Sequence, residues 1–244
     1  MSTPLITVCI VVLNGVQTIA ASIASVIDQT YPAIELIVVD GGSTDGTIDV
    51  VNAFAQHISR FVSEPDKGIY DAMNKCYEMA QGDWLIFLGC DDVLLRSLSV
   101  VGPLLREKDA VYYGNVMIKA DGTVSGGKFS KYRLMQENIC HQAIFYPRSV
   151  YKKWRYDLRY RLHADHEYNI RLIGKDIRYV FLDTTIAVFD NTGVSAAGDP
   201  AFRHDLYRIL RENYGVTWAA LKWLRTLAAS TLKPILRSFA KSRG

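Results

Sequence analysis

The sequence lacks any apolar run long enough to cross a bilayer, since a membrane-spanning helix needs about 18 or more consecutive apolar residues. Its first apolar run, Leu5–Leu13, also lacks the marks of a signal peptide, because no basic segment precedes it and no small-residue cleavage site follows it. We therefore expect Leu5–Leu13 to form a β-strand, and we expect no part of the chain to span a membrane.

Cysteine is scarce and widely spaced. The four cysteines are Cys9, Cys76, Cys90 and Cys140, and no two of them form a Cys-x-x-Cys pair. Zinc sites and disulfide frameworks usually show closely spaced or numerous cysteines. We therefore predict reduced, buried thiols in a cytoplasmic protein, without zinc or a disulfide framework.

A strong charge of either sign is also missing. The 244 residues carry 28 Lys and Arg against 25 Asp and Glu, and the net charge of +3 is too small to indicate a nucleic-acid partner. The distribution is uneven, because no Asp or Glu follows Glu212 while Lys and Arg continue to the end. With 49% hydrophobic residues, the chain can form one large α/β domain or a domain with an appended subdomain.

Strand-like and helix-like patterns alternate from residue 5 to residue 92. Apolar runs at Leu5–Leu13, Ile34–Val39 and Trp84–Leu88 predict buried strands, and Phe61-Val62 predicts a shorter one. The helices predicted between them lie at residues 19–27, about 45–57 and 69–80. This alternation predicts an α/β fold with a largely parallel sheet and right-handed crossovers.

The second half of the chain is less regular, and we expect it to form the far wall of a cleft. The predicted elements are a helix over residues 94–108, strands over 110–118 and 123–125 joined by an Asp121-Gly122 turn, a strand over 144–146, a helix over 164–173 and an extended segment over 177–188.

Two adjacent carboxylates, Asp91 and Asp92, follow the buried strand Trp84–Leu88. They repel one another unless a cation or hydrogen-bond donors offset their charge, and ligands of open α/β sheets bind at the carboxyl ends of strands. We therefore predict a Mg²⁺ or Mn²⁺ site completed by phosphate oxygens and water. The alternative is that Asp92 starts a helix or turn near Val93 and Asp91 faces solvent.

Several motifs together resemble family 2 glycosyltransferases. The segments that carry the resemblance are Val8–Asn14, Asp40–Thr47, Ser63–Lys75, Gly82–Asp92, His141-Gln142 and Tyr160–Asp165. They follow the family's order and spacing over roughly residues 5–190. The resemblance implies a GT-A (Rossmann-like) fold, a nucleotide-sugar donor, a divalent metal and inversion at the anomeric carbon. It also implies a donor-binding half (1–120), an acceptor-side half (121–198) and a helical carboxyl-terminal segment (199–244).

The resemblance also assigns roles to individual residues. Asp40 would bind the nucleobase, Asp91 and Asp92 would bind the metal, and Asp165 would be the catalytic general base. The set implied to bind the nucleotide-sugar is Leu13, Asn14, Asp40, Asp66, Lys67, Asn74, Asp91, His141 and Gln142.

The sequence departs from the family pattern at two positions. Gly89 replaces the first Asp of the family's Asp-x-Asp motif, and Leu13 replaces an aromatic residue that often stacks on the base. The first change leaves one ribose or metal contact to be lost or supplied elsewhere, and it keeps open an inactive saccharide- or nucleotide-binding protein with the same fold. The second weakens any inference about which base is bound.

Several of these residues have simpler interpretations. Asp165 could cap a helix that starts near His166, and the cleft could instead raise its pKa to suit a general base. His163 and His166 could be metal ligands or ordinary surface or core side chains. Lys67 could be a donor contact or a solvated loop charge. The pair Asp71 and Lys75, four apart on a helix, is a candidate surface ion pair.

The carboxyl-terminal segment shows a basic amphipathic helix that starts near Trp218 and is interrupted near Pro234. Apolar residues recur at helical spacing at Leu221, Leu224, Leu227, Ala228, Leu232 and Ile235. We predict that residues 216–241 make a peripheral contact with the anionic inner face of the cytoplasmic membrane. Packing on the protein's own core, or on another subunit of a homo-oligomer, is an equal alternative.

The predicted function is transfer of a sugar from a nucleotide-sugar, preferably a UDP-sugar, to a saccharide or lipid-linked saccharide during bacterial lipopolysaccharide or capsule assembly. An NAD-dependent oxidoreductase is disfavoured, because the loop Gly41–Gly46 lacks the G-x-G-x-x-G spacing. A sugar nucleotidyltransferase is a closer alternative, but the loop after the first strand carries no basic residue.

Overall fold

The computed structural model describes residues 3–190 and 198–241, with side chains up to residue 228. The strands are β1 (Ile6–Val12), β2 (Ile34–Asp40), β3 (Arg60–Ser63), β4 (Trp84–Gly89), β5 (Val93–Leu94), β6 (Ala110–Ile118), β7 (Val124–Ser125), β8 (Ile144–Pro147) and β9 (Arg178–Phe189). The α-helices are α1 (Ile19–Ile27), α2 (Thr47–Ala53), α3 (Ile69–Met79), α4 (Leu98–Val101), α5 (Lys131–Leu134), α6 (Arg148–Tyr151), α7 (Ala164–Gly174), α8 (Pro200–Tyr214) and α9 (Val216–Lys241). Short 3₁₀ turns lie at Ala55–His57, Gly102–Leu104 and His141–Ala143.

The strands join in the order β3-β2-β1-β4-β8-β6-β9-β5, with β7 paired to β6. Strands β1 to β4 run parallel, as the alternating pattern predicts. Strand β8 is antiparallel to both β4 and β6, and β9 returns parallel to β6. The irregular second half therefore extends the same sheet. Strands β6 and β9 end at the same edge as β1 to β4, and β8 ends at the opposite edge.

Two hydrophobic clusters cover the two faces of the parallel strands. Successive residues of a strand point to opposite faces, so Cys9 and Val11 join the cluster under α3 while Val8 and Ile10 join the cluster under α1. All seven residues of β1 are buried, which explains the continuous apolar run in its sequence. This burial fixes where each strand ends, and hence where the polar residues after it lie.

One expectation about the cysteines is wrong. Cys9 of β1 and Cys76 of α3 form a disulfide, with their Cα atoms 6.5 Å apart and both side chains fully buried. The packing of α3 over β1 brings together two residues that are 67 positions apart, and sequence spacing does not reveal this contact. Cys90 and Cys140 are free thiols, as predicted, and burial raises the pKa of Cys140 to about 12.

The helix predicted over residues 94–108 is also wrong. Val93–Leu94 is a short strand that pairs with β9, so no helix starts at Asp92. Asp92 does take part in a turn, since its backbone N–H donates to the Gly89 carbonyl at 3.3 Å. Only Leu98–Val101 is α-helical before a 3₁₀ turn at Gly102–Leu104. Gly102 lies directly against the ring of Tyr31, and Pro103 follows it, so the close contact and the proline end the helix early.

The carboxyl-terminal helix differs in one respect from its prediction. The backbone of α9 is helical from Val216 to Lys241, so the interruption predicted near Pro234 is not seen. An α-helix can retain a proline at the loss of one backbone hydrogen bond. None of the helices in residues 3–190 and 198–241 is both long enough and apolar enough to cross a membrane.

Candidate active site

The loop after β2 is organised by the buried carboxylate of Asp40. Its oxygens accept hydrogen bonds from the backbone N–H groups of Gly42 (3.1 Å) and Ser43 (3.0 Å), and from the hydroxyls of Ser63 (2.7 Å) and Ser43. Burial raises the pKa of Asp40, but these donors outweigh burial and hold the pKa below its ordinary value. The carboxylate is therefore ionised and shapes the loop, and its contact with a nucleobase stays a prediction.

Asn14 joins the end of β1 to the same loop. Its backbone N–H donates to the Ser43 hydroxyl at 2.7 Å, and its side-chain oxygen accepts from the Thr44 N–H at 3.0 Å. Its φ of 52° lies in the left-handed region, which asparagine tolerates better than most residues. Leu13 beside it is 57% exposed. The predicted residues Leu13, Asn14 and Asp40 thus lie together at the carboxyl edge of the sheet.

The loop before α3 carries Asp66 and Lys67. Asp66 accepts from the Gly68 N–H at 2.8 Å and its carboxylate lies against Gly41, which places it beside the Asp40 loop. Lys67 is exposed and its backbone N–H donates to Asp71 at 3.0 Å.

The ion pair predicted between Asp71 and Lys75 is wrong. Lys75 pairs with Glu64 at 2.9 Å instead, because the chain preceding α3 folds back across that helix face, while Asp71 accepts from the backbone of Lys67.

Asp91 and Asp92 have different surroundings, although they are adjacent. Asp92 is 2% exposed and accepts from the Gly89 N–H (2.8 Å), the Gln142 amide (2.9 Å) and the Asp190 N–H (3.2 Å). Asp91 is half-buried and, among the described residues, accepts no hydrogen bond from another residue. Burial and then the charge of Asp92 raise its pKa. Asp92 is therefore a structural carboxylate, and Asp91 is the one open to a ligand.

Gly89 stands where the family motif has its first Asp. A Cβ at this position would lie 2.7 Å from an Asp91 oxygen and 2.9 Å from an Asp92 oxygen. The two carboxylates fold over the glycine, so a third carboxylate cannot occupy this position without moving them.

A divalent cation fits the chemistry of Asp91. No group of three His, Cys, Asp or Glu side chains is positioned to hold a metal ion within the described ranges. The backbone N–H of Asp91 itself and the charge of Lys119 offset the Asp91 charge only in part, since the pKa of Asp91 stays raised. Hard oxygen ligands suit Mg²⁺ or Mn²⁺. Diphosphate oxygens and water would have to complete the coordination, with Asp92 held behind Asp91 by its own hydrogen bonds.

Asp165, the predicted general base, lies in the first turn of α7. The N-cap residue of α7 is His163, so the interpretation of Asp165 as the helix cap is wrong. Asp165 is 8% exposed and accepts from the Tyr70 hydroxyl (2.8 Å) and the His166 N–H (2.8 Å), while its second oxygen lies 3.3 Å from His141 Nδ1. Burial raises the pKa of Asp165, but His141 and then Tyr70 outweigh burial and lower it below its ordinary value. The expectation of a raised pKa is therefore wrong, because the sequence could not show these two donors.

The turn His141–Ala143 connects the two carboxylate sites. His141 contacts Asp165, and the next residue, Gln142, donates to Asp92. Their sugar or phosphate contacts stay predictions. The predicted donor contact Asn74 lies on α3 and uses both atoms of its amide on the backbone of Tyr156, at 3.0 and 2.9 Å.

Of the two histidines beside Asp165, His166 is buried and His163 is partly buried. His166 Nε2 lies 2.5 Å from the Leu134 carbonyl, and burial lowers its pKa to about 4, so it is neutral and already engaged. His163 stacks on Phe202 with ring centroids 5.3 Å apart. Binding of a metal through Nε2 of His166 is therefore excluded, because the Leu134 carbonyl occupies that nitrogen.

Tyr70 was missed as a site residue. Tyr70 lies within the recognised motif Ser63–Lys75, but its partner Asp165 is 95 residues away along the chain. The only signal in the sequence was a tyrosine on the apolar stripe of α3, where a phenylalanine would pack equally well.

Comparisons with known proteins identify the family of the chain. The family model for glycosyl transferase family 2 matches residues 7–158. The chain belongs to this family. It is a glycosyltransferase, and its mixed α/β sheet is the GT-A fold, so both predictions are confirmed.

Relatives of this family 2 glycosyltransferase occur in mycobacteria. The PGL/p-HBAD biosynthesis glycosyltransferases of Mycobacterium bovis and Mycobacterium tuberculosis are 39% identical over 180 residues, which covers 70% of this chain and 70% of theirs. Another M. tuberculosis protein, named an uncharacterized glycosyltransferase, is 30% identical over 214 residues, covering 82% of this chain and 80% of its own.

Solved structures of low identity share the fold. Staphylococcus aureus TarS 1–349 in complex with UDP has a TM-score of 0.66 and 17% identity; the match covers 89% of this glycosyltransferase and 65% of the TarS chain. The mannosyltransferase PcManGT from Pyrobaculum calidifontis, in complex with GDP-Man and Mn²⁺, has a TM-score of 0.65 and 17% identity, with 98% and 81% covered.

The different roles of the two adjacent carboxylates can be tested by stability. We expect Asp92→Ala to lower the free energy of unfolding by about 2–4 kcal/mol, because it leaves buried donors unpaired. Asp91→Asn should leave the free energy of unfolding unchanged or raise it slightly. The raised pKa of Asp91 means that folding disfavours its ionised form, and at pH 7 the folded protein bears that cost. The neutral asparagine removes the cost. Urea unfolding without divalent metal measures both, with exposed Asp109→Asn as the control. Equal losses for Asp91→Asn and Asp92→Ala would contradict the assignment.

Proposed function

We propose that this protein is an inverting glycosyltransferase that moves a sugar from a UDP-sugar to a lipid-linked saccharide. One observation supports this most strongly. Asp92, next to the open carboxylate Asp91 at the edge of the sheet, accepts from Gln142, and the adjacent His141 contacts the ionised carboxylate Asp165. We therefore assign the donor site to residues 1–120 and the candidate base to residues 121–198, as the two sides of one cleft.

The donor side would stabilise the leaving nucleoside diphosphate. A divalent metal bound at Asp91 would offset the negative charge that the diphosphate gains as the glycosidic bond breaks. Asp40, Asn14, Asp66 and Lys67 would surround the nucleoside and phosphates. The preference for uridine follows the family's commonest donor, and TarS has been solved with UDP and with UDP-GlcNAc.

The acceptor side would activate a hydroxyl group. The acceptor oxygen forms a bond to the anomeric carbon as the bond to the diphosphate breaks, and the electron pair of that bond leaves with the diphosphate. Asp165 takes the hydroxyl proton. Because its pKa is lowered, the carboxylate is ionised at neutral pH and free to accept the proton when attack makes the hydroxyl acidic. Attack opposite the leaving group inverts the anomeric configuration, and no covalent enzyme intermediate forms.

Nucleotide binding tests the donor proposal. We expect UDP to raise the unfolding temperature in the presence of Mn²⁺, more than GDP, dTDP, CDP or NAD do, since ligand at 100 times its Kd adds about 2.7 kcal/mol to folded-state stability. Thermal unfolding of wild type and of Asp91→Ala, with Asp109→Ala as the control, measures this. A shift that persists in Asp91→Ala would remove Asp91 from the site, no shift with any nucleotide would favour an inactive scaffold, and a shift with NAD alone would contradict the proposal.

The carboxyl-terminal helix supports a site of action at the inner face of the cytoplasmic membrane. One face of α9 docks on the protein through Trp218 and Ala219, and Lys222 donates to Gln136 at 3.2 Å. The rest of the helix surface exposes apolar side chains, with Val216 at 68%, Trp223 at 54% and Leu224 at 55%. The alternative of packing on the protein's own core thus accounts for only one face of α9.

The occupant we propose for the exposed face is an anionic lipid surface. No acidic residue follows Glu212, and the part of the chain after Leu224 contains Arg225, Lys233, Arg237, Lys241 and Arg243. Apolar side chains at the headgroup boundary and a surplus of basic charge are the two features that bind amphipathic helices to anionic membranes. A lipid-linked acceptor would be found at the same surface.

Vesicle sedimentation tests the membrane proposal. We expect wild type to bind vesicles containing anionic phosphatidylglycerol at low salt and not vesicles of phosphatidylcholine alone. Trp223→Ser/Leu224→Ser should lower binding at least tenfold, whereas Val100→Ser/Val124→Ser, which removes exposed apolar groups elsewhere, should bind as wild type does. Absence of binding by wild type would contradict the proposal, as would a dimer of wild type that Trp223→Ser/Leu224→Ser dissociates.

A further inference from the structure

Helix α3 is fastened to the chain that leads into α7. The Tyr70 hydroxyl lies 2.8 Å from the Asp165 carboxylate and 3.1 Å from the Leu162 carbonyl. One turn further along α3, the Asn74 amide binds the backbone of Tyr156, and the ring of Tyr70 packs on that of Tyr156 with centroids 5.1 Å apart. These contacts hold the position of Asp165 relative to α3.

The hydroxyl of Tyr70 has one hydrogen to donate. Two acceptors lie within reach, and the carboxylate is both nearer and charged, so it takes the hydrogen bond. Tyr70 does not compete as an acid, because burial and then the charge of Asp165 raise its pKa well above the ordinary value.

Asp165 needs such donors because little water reaches it. A carboxylate that is 8% exposed loses most of its hydration, and desolvation alone favours its protonated form. The titratable groups around it are Tyr70 on α3, His141 and Cys140 at the 3₁₀ turn, His166 on α7 and Tyr146 on β8. Within the described chain, only Tyr70 and His141 among these place a side-chain polar atom within 3.3 Å of the carboxylate.

We propose that Tyr70 is a positioning residue for glycosyl transfer, whose hydroxyl fixes the Asp165 carboxylate toward the acceptor and keeps it ionised in a site nearly free of water. The inference rests on the proposed role of Asp165 as general base. Tyr70 itself touches neither substrate nor the reacting atoms. Its helix begins directly after the loop that carries Asp66 and Lys67, so the base is fastened to the same helix as the donor loop.

The test compares Tyr70→Phe with Tyr214→Phe. Tyr214 is a suitable control because its buried hydroxyl has no partner among the described residues. We expect Tyr70→Phe to lower kcat about tenfold and leave the KM for the donor within twofold, and Tyr214→Phe to resemble wild type. Removing a donor to the ionised form raises the pKa of Asp165, so the acid limb of kcat/KM should move up by about 1 pH unit. In an Asp165→Asn background the Tyr70→Phe change should lower kcat no further.

A readout that does not require activity separates this inference from the proposed function. Carboxyl NMR, with the Asp165 signal assigned by its loss in Asp165→Asn, should show the Asp165 pKa raised in Tyr70→Phe and unchanged in Tyr214→Phe. An unchanged Asp165 pKa in a folded Tyr70→Phe variant would overturn the inference, as would loss of donor binding in that variant. A raised Asp165 pKa together with full activity of Asp165→Asn would support the contact but overturn the proposed base.

Discussion

The candidate site depends on one short turn that satisfies two buried carboxylates. Asp92 follows β4 and Asp165 lies in α7, and each would be costly to bury without hydrogen-bond donors. His141 and Gln142, adjacent in a 3₁₀ turn, supply one donor to each. Because the turn leads straight into β8, which pairs with both β4 and β6, the backbone of the sheet holds the two carboxylates in a fixed relation.

Most aspartates of the site accept hydrogen bonds from the protein's own donors. Asp40 organises the loop after β2, Asp92 closes the turn at Gly89, and Asp165 is held by Tyr70 and His141. Asp91 is different, since burial and the charge of Asp92 raise its pKa and outweigh its own backbone N–H and the charge of Lys119. A cation stabilises a carboxylate in that state, which supports the proposal that Asp91 binds the metal and the diphosphate.

The sequence predicted the part of the fold that depends on local periodicity. Strands β1 to β4 and helices α1 to α3 follow from apolar runs and helical stripes, and the residues at their carboxyl ends lie together because parallel strands end at one edge. Contacts between distant segments could not be predicted. The Cys9–Cys76 disulfide, the Tyr70–Asp165 hydrogen bond and the engagement of His166 by Leu134 each depend on how helices pack over the sheet. For the same reason the pKa of Asp165 is lowered rather than raised as expected, since the donors Tyr70 and His141 come from other elements.

The central claim is that one cleft carries out a direct displacement, with the donor at Asp91 and the base at Asp165. The most direct measurement is the anomeric configuration of the transferred sugar, followed by NMR from a nucleotide-sugar of known configuration. The account predicts a product of inverted configuration whose formation stops in Asp165→Asn. A product that retains the donor's configuration would require a covalent or front-face path and would contradict the account.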